Sequence, residues 1–298
     1  MLETSLMKFD RPQTGAPLSL DELLAKLRFL EPVEQALRKK LRDPALPAIA
    51  KEAYAGEGFA FPLCRRMPLT RLSALAWLLV EAWDRYGARG VPEGIILDTF
   101  RDVALRARLY YEATGKAGLR REDVIWYRHI VQGTLFQIGL LQFQPFEMVY
   151  LDRETLGEAY MLFDPGQKES LPPGTPVINC HIPRGANLAL DEVEPSFRRA
   201  KAFFGTLFPE RDFQAFVCYS WLLYPPMTAC LREDSRIRRF AGLFRVIGTC
   251  GDREQAMENL FPGGKAASGE EMTSLQRMAK THPERFGFAC GIRSVQSV

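Results

Sequence analysis

With 298 residues, 47% of them hydrophobic and 25% charged, the chain has the make-up of an ordinary globular protein with room for two domains. Its 39 basic and 36 acidic residues leave a net charge of +3, which excludes any whole-chain electrostatic case for nucleic acid or a membrane surface as partner. No apolar run is long enough to cross a bilayer. Cys64, Cys180, Cys218, Cys230, Cys250 and Cys290 form no C-x-x-C pair, and the histidines are too scattered for a zinc spacing, so no metal is expected. The start, MLETSLMKFDRPQ, carries acids and no apolar core, which argues against a secretory signal and for a cytoplasmic protein with reduced cysteines.

The first 125 or so residues read as helix. Ser19 before LDELLAKLRFL, with Glu22 three residues on, is a capping-box pattern. Pro44 and Pro47 interrupt the chain after VEQALRKKLRD. LTRLSALAWLLVEAWDRYGARG predicts a buried helix ending near Gly87 and Gly90. GIILDTFRDVALRARLYYEATG predicts another, capped at Asp98 or Thr99 and stopped by Gly115, and REDVIWYRHIVQG one more. Trp77, Trp83, Trp126, Tyr110 and Tyr111 fall at helical spacings and read as core.

The second half alternates. Thr134 to Phe146 reads as one strand, and YMLFDPG as a weaker one closed by an Asp-Pro-Gly turn. The strand VINCHI, the helix LDEVEPSFRRAKAFFGTLF and the strand Phe213 to Tyr224 follow. A helix opened by Pro225 and Pro226 runs through RRFAGLF, then come the strand FRVIGT, a glycine-rich loop, the helix TSLQRMAKTH and a last strand, FGFACGI. The domain boundary is placed near residues 125–133, dividing the chain into 1–128 and 129–298.

Chemistry concentrates after Pro176. A strand that passes through Arg184 and Gly185 into a helix N-terminus can hold an anion, because free N–H groups and the helix dipole point at it; a plain tight turn with a solvated arginine is the alternative. His181 shares a strand face with Asn179 and opposes Cys180, so it is either a general base or a core histidine bonded to backbone. Along 213–224, Cys218, Ser220 and Tyr224 share one parity and Tyr219 and Trp221 the other; Tyr224, then Tyr219, are candidate general acids. Glu147, Ser220 and Trp221 are candidates for holding a substrate. A nucleophile made of Cys218 or Cys180 with His181 is disfavoured, since adjacent Cys180 and His181 point apart, and no G-x-S-x-G elbow occurs. Asp191, Glu192 and Glu194 complement a helix dipole, and the run Arg232, Asp234, Ser235, Arg236, Arg238, Arg239 reads as a solvated helix face whose basic end can reach a phosphate.

The phrases INCHIPRGANL, SFRRAKAFF, CYSWLLYPPM, LREDSRIRRFAGLF and TSLQR resemble an acyltransferase family that joins a helical N-acyltransferase N-terminal domain to a GNAT-like C-terminal domain. The resemblance implies an α+β or α/β chain whose second domain is a mixed, splayed sheet. It implies acetyl-CoA or another acyl-CoA as co-substrate, with Cys180, Ile182, Arg184, Gly185, Ala186, Asn187 and Leu188 around it. It further implies a small-molecule amine or a peptide as acceptor; a second reading of the aromatics of the helical half, beside core packing, is that this layer covers one side of the acceptor cleft. The family's usual phosphate turn is Q/R-x-x-G-x-G/A, whereas Arg184-Gly185-Ala186-Asn187-Leu188 supplies its arginine and glycine in another order. A non-catalytic CoA- or ligand-binding protein of the same fold is therefore the first rival reading. A hydrolase using Cys218 or Ser220 is the second.

Overall fold

The structure, a computed structural model, describes residues 18–56, 58–262 and 272–298. The segment MLETSLMKFDRPQ and part of the glycine-rich stretch lie outside the described residues. The chain divides into two compact units between Phe136 and Gln137.

The first unit holds α1 (Leu20–Leu27), α2 (Glu31–Lys40), α3 (Leu46–Glu52), α4 (Pro68–Ala88), α5 (Glu93–Thr114) and α6 (Arg121–Val131). The Ser19–Glu22 capping box forms at α1, and Gly115 closes α5 in the left-handed conformation. Pro47 stands in the first turn of α3, where its missing N–H leaves no bond unmade. The cap expected at Asp98 or Thr99 is corrected: α5 begins six residues earlier behind Pro92, and Thr99 donates to the Ile95 carbonyl from within the helix. The core centres on Tyr86, whose ring meets Phe100 at 5.4 Å and Phe136 at 5.5 Å edge-on, and whose hydroxyl donates to the Leu135 carbonyl at 2.8 Å.

Gly118 (φ +152°) presses on the start of α4. A Cβ there would lie 2.6 Å from the Pro68 carbonyl carbon and 2.9 Å from the Leu69 nitrogen, backbone atoms that cannot swing aside. Gly118→Ala is expected to lower stability by about 1–3 kcal/mol, read by urea denaturation.

The second unit is built on one sheet of six strands: β1 (Phe136–Ile138), β2 (Leu141–Glu147), β3 (Pro176–His181), β4 (Ala215–Ser220), β5 (Arg245–Cys250) and β6 (Phe288–Ser294), in the order β1-β2-β3-β4-β6-β5. Only β3 and β4 run parallel among the pairs β2–β3, β3–β4, β4–β6 and β5–β6. Between the strands lie α7 (Arg153–Leu156), α8 (Pro165–Ser170), α9 (Leu190–Leu207), α10 (Pro225–Thr228), α11 (Arg236–Ala241), α12 (Glu254–Leu260) and α13 (Ser274–Thr281). The amphipathic α9 is the parallel crossover between β3 and β4. Its Phe197 meets Phe143 at 5.5 Å and Phe216 at 4.9 Å, so alternate residues of β2 and β4 face it. The other face carries Val177, Ala215, Val217 and Cys290 under Met148, Tyr150, Met161 and Leu171.

Four sequence-based elements are corrected. The single strand over 134–146 is a hairpin, split at Gly139 (φ +66°), and the Leu140 N–H donates to Ser196 Oγ on α9 at 3.0 Å. YMLFDPG is no strand: Asp164 caps α8 and Pro165 opens it, so the Asp-Pro-Gly signal marks a helix start. The strand expected to run to Tyr224 ends at Ser220, whose Oγ accepts from the Leu222 N–H and starts a 3-10 turn, Trp221–Leu223. The long helix after Pro225 is two short ones, α10 and α11, separated by a stretch in which Arg232 folds onto Asp234 and turn-favouring Asp234-Ser235 precedes α11.

Candidate active site

The parallel pair β3–β4 sets the geometry. Its pairing covers Val177–Asn179 against Ala215–Val217 and goes no further. Beyond that point β3 stays paired to β2, as far as His181 opposite Gln142, and β4 stays paired to β6, as far as Ser220 opposite Ala289. The sheet therefore opens as a wedge between Cys180-His181 and Cys218-Tyr219-Ser220. Backbone groups on both lips leave the parallel ladder there, which is how an extended ligand chain can be received by main-chain hydrogen bonds.

Alternation sorts the lips onto two faces. Cys180 and Cys218 lie on the α9 side, both buried and free, and burial together with the neighbouring Cys218 pushes the Cys180 thiol well up. A thiol so held is a poor nucleophile. The Cys180–His181 pairing fails as the strand geometry dictates: the two side chains lie on opposite faces.

The second face carries a polar strip. Register places Gln142 opposite His181 and Gln144 opposite Asn179, so all four share that face. The diagonal pair is joined, His181 Nε2 lying 3.4 Å from Gln144 Oε1. Gln142, Gln144 and Asn179 are 2%, 8% and 6% exposed, whereas His181 is half-buried. Among the described residues Gln142 Nε2 and Asn179 Oδ1 have no hydrogen-bond partner.

After β3 the chain turns through residues 182–189. The Ala186 N–H donates to the Pro183 carbonyl at 3.1 Å, and Gly185 (φ +81°) and Leu188 (φ +55°) adopt the left-handed conformation. Gly185 does so without strain, while a branched apolar residue there costs about 1–2 kcal/mol. α9 then starts at Ala189 with no side-chain cap, so its first N–H groups are not satisfied from a side chain. Asn187 links the turn to two other elements: its Nδ2 donates to Glu192 Oε1 at 2.9 Å, and its Oδ1 accepts from Arg236 Nη1 of α11. Arg236, which the sequence places in a solvated run whose basic end can reach a phosphate, thus stands at the same turn as Arg184.

The two tyrosines separate clearly. Tyr219 donates its hydroxyl to the Val149 carbonyl, and burial pushes its phenol far up, so it is a core residue with a satisfied polar end. Tyr224 follows the 3-10 turn, and its parity with Cys218 and Ser220 does not hold because the strand has ended. Its ring lies over Gly287: a Cβ there would come within 2.5 Å of the Tyr224 ring and of the Cys250 carbonyl oxygen. Among the described residues the Tyr224 hydroxyl makes no hydrogen bond.

Three other expected site residues have structural roles or lie elsewhere. Ser220 caps the 3-10 turn, and Trp221 is buried against Phe286 in a cluster with Met227 and Leu260. Glu147 pairs with Pro176 at the far end of β3, five residues or about 16 Å from His181, so the two are not brought together. Sequence reasoning missed Gln142 and Gln144 and gave Asn179 no role beyond sharing a face with His181. Polar residues alternating within an apolar strand were the available signal for the strip.

No curated protein matches the chain. Among solved structures, an acyltransferase in complex with decanoyl-CoA and teicoplanin shares the fold, with a TM-score of 0.68 at 18% identity over 98% of this chain and 91% of that one. An acyltransferase mutant in complex with octanoyl-CoA gives 0.68 at 19% identity over 92% and 87%, and an acyltransferase in complex with decanoyl-CoA 0.67 at 21% over 95% and 91%. The pattern of the N-acyltransferase N-terminal domain matches residues 19–133, and that of the GNAT-like C-terminal domain matches 135–288. With helices in the first region and an open mixed sheet in the second, the chain belongs to the acyltransferase family that joins these two domains.

Proposed function

We propose that this protein transfers an acyl group from acyl-CoA to a primary amine on a small-molecule or peptide acceptor. The observation that carries the reading is the wedge at Cys180/Cys218, which opens beside the half-buried His181 and leads straight into the turn before α9. The residues present fit a CoA thioester. Main-chain groups of the wedge suit the two amides of its pantetheine arm, and the uncapped start of α9 with Arg184 and Arg236 suits its diphosphate. Bound acyl-CoA would supply an activated carbonyl and a thiolate leaving group.

His181 then takes the proton from the attacking amine as the N–C bond forms, with Gln144 fixing the imidazole at 3.4 Å. N–H groups of the wedge stabilise the developing oxyanion. As the C–S bond breaks, the hydroxyl of Tyr224, which makes no hydrogen bond among the described residues, donates its proton to sulfur. The octanoyl- and decanoyl-CoA held by the structural neighbours support a medium-chain acyl group over the acetyl group expected from the sequence. The teicoplanin complex supports a peptide-like acceptor.

Calorimetry with acetyl-, octanoyl- and decanoyl-CoA tests the donor, and release of free thiol on adding an amine tests transfer. Micromolar binding of octanoyl- or decanoyl-CoA with thiol release is expected. Binding without amine-dependent release would replace this reading by the non-catalytic one. Arg236→Ala is expected to weaken acyl-CoA binding by about tenfold or more, since one charge-assisted contact to phosphate is worth about 1.5–3 kcal/mol.

A further inference from the structure

Two buried polar atoms on the strip beside His181 are unexplained by the transfer step. Gln142 Nε2 and Asn179 Oδ1 belong to side chains 98% and 94% buried, and neither atom has a partner among the described residues. A buried donor or acceptor left unmade is costly, and native structures leave few. Here one donor and one acceptor lie on one sheet face, on adjacent strands, at the diagonal that complements Gln144–His181. On the same face Val177 and Val217 are hydrocarbon and offer no partner, and the Tyr219 hydroxyl donates its hydrogen bond to the Val149 carbonyl and not to Asn179.

A group that satisfies both at once must accept from an amide N–H and donate to an amide oxygen. A secondary amide does this, with its carbonyl toward Gln142 and its N–H toward Asn179. We propose that Gln142 and Asn179 recognise the amide adjoining the acceptor's reactive amine, so that the preferred acceptor is an aminoacyl amide or peptide N-terminus rather than a simple amine. The inference rests on the acyltransferase reading and narrows it. The strip places the read amide next to the base: Gln142 is the register partner of His181, and Asn179 lies two residues from it on the same face. A primary amine one carbon from its own amide carbonyl matches that spacing, so binding the amide presents the amine to His181.

The test uses the full-length protein, octanoyl-CoA and two acceptors of matched length: glycine N-methylamide, which has both carbonyl and N–H, and glycine methyl ester, which lacks the N–H. The wild-type protein is expected to favour the amide in kcat/KM by about tenfold or more, because the ester leaves the Asn179 oxygen unpaired. Asn179→Leu should reduce that preference below about threefold, and Asn179→Asp, which keeps the acceptor oxygen, should retain it. Gln142→Leu should instead lower kcat/KM for both acceptors alike, since both keep the carbonyl. Equal wild-type rates on amide and ester overturn the inference while leaving the transfer reading intact. So does an Asn179→Leu effect confined to the KM for octanoyl-CoA, which would place the pantetheine arm on these atoms. Transfer to neither acceptor, nor to any other primary amine, overturns both readings together.

Discussion

His181→Ala should lower kcat by about 10²–10⁴-fold while leaving the acyl-CoA dissociation constant within about threefold of wild type. The asymmetry follows from position. His181 ends β3 at the open lip of the wedge, whereas the anion-holding groups, Arg184, Arg236 and the start of α9, come after it in the turn. The acidic limb of the kcat/KM–pH profile should flatten in the variant, which a merely structural histidine would not produce. His181→Asn, of similar size and with no basic nitrogen, separates base catalysis from packing: it should be as slow as the alanine variant yet melt like the wild type. Equal losses in binding and turnover would make His181 a structural residue and leave the amine without a base.

Arg106→Met should cost about 3–5 kcal/mol of stability, the largest single effect expected in the helical unit. Arg106 Nη1 lies 3.3 Å from Asp123 Oδ1 and its Nε 3.8 Å from Asp102 Oδ2, and both carboxylates are buried. Burial holds the Asp123 carboxyl above the usual range, against the pull of Arg106 and of the Arg120 N–H. A carboxyl whose folded-state pKa is raised binds its proton more tightly folded than unfolded. It therefore contributes stability at low pH that is lost as pH rises from the ordinary carboxylate range through the folded value. Taking Arg106 away raises that folded value further and widens the window. Urea denaturation should therefore show the deficit largest at neutral pH and shrinking towards about pH 4. A deficit that does not change with pH would show that the loss is one of packing alone.

Much of the fold was legible because it rests on local rules. The capping box at Ser19–Glu22, the Gly115 stop and the apolar stripe of α9 are each dictated within a few residues, and each forms. The misreadings fall where local signals compete. Asp164-Pro165-Gly166 satisfies both a turn and a helix start, and packing of the following residues, with Gln167 buried and Tyr150 bonded to its carbonyl, chooses the helix. The apolar run 213–224 has no internal stop, yet the Ser220 hydroxyl captures the Leu222 N–H and ends the strand. Gly139 was hidden inside a long apolar run, and only its contact with Ser196 and Arg199 of α9 explains why a turn forms there.

Local rules alone set the helical first half, the strand-turn-helix around Arg184 and Gly185, and the opposition of His181 to Cys180. These depend on period, turn chemistry and alternation, which are properties of adjacent residues. Long-range packing sets where the parallel pair parts, brings Arg236 to the same turn, and joins Gln142, Gln144 and Asn179 to His181 on one face. It also commits Tyr219 to Val149, whereas the Tyr224 hydroxyl makes no hydrogen bond among the described residues. Each of these is a relation between strands or helices tens of residues apart. The register and crossover that set such relations are chosen by the packing of whole faces, which no local window contains.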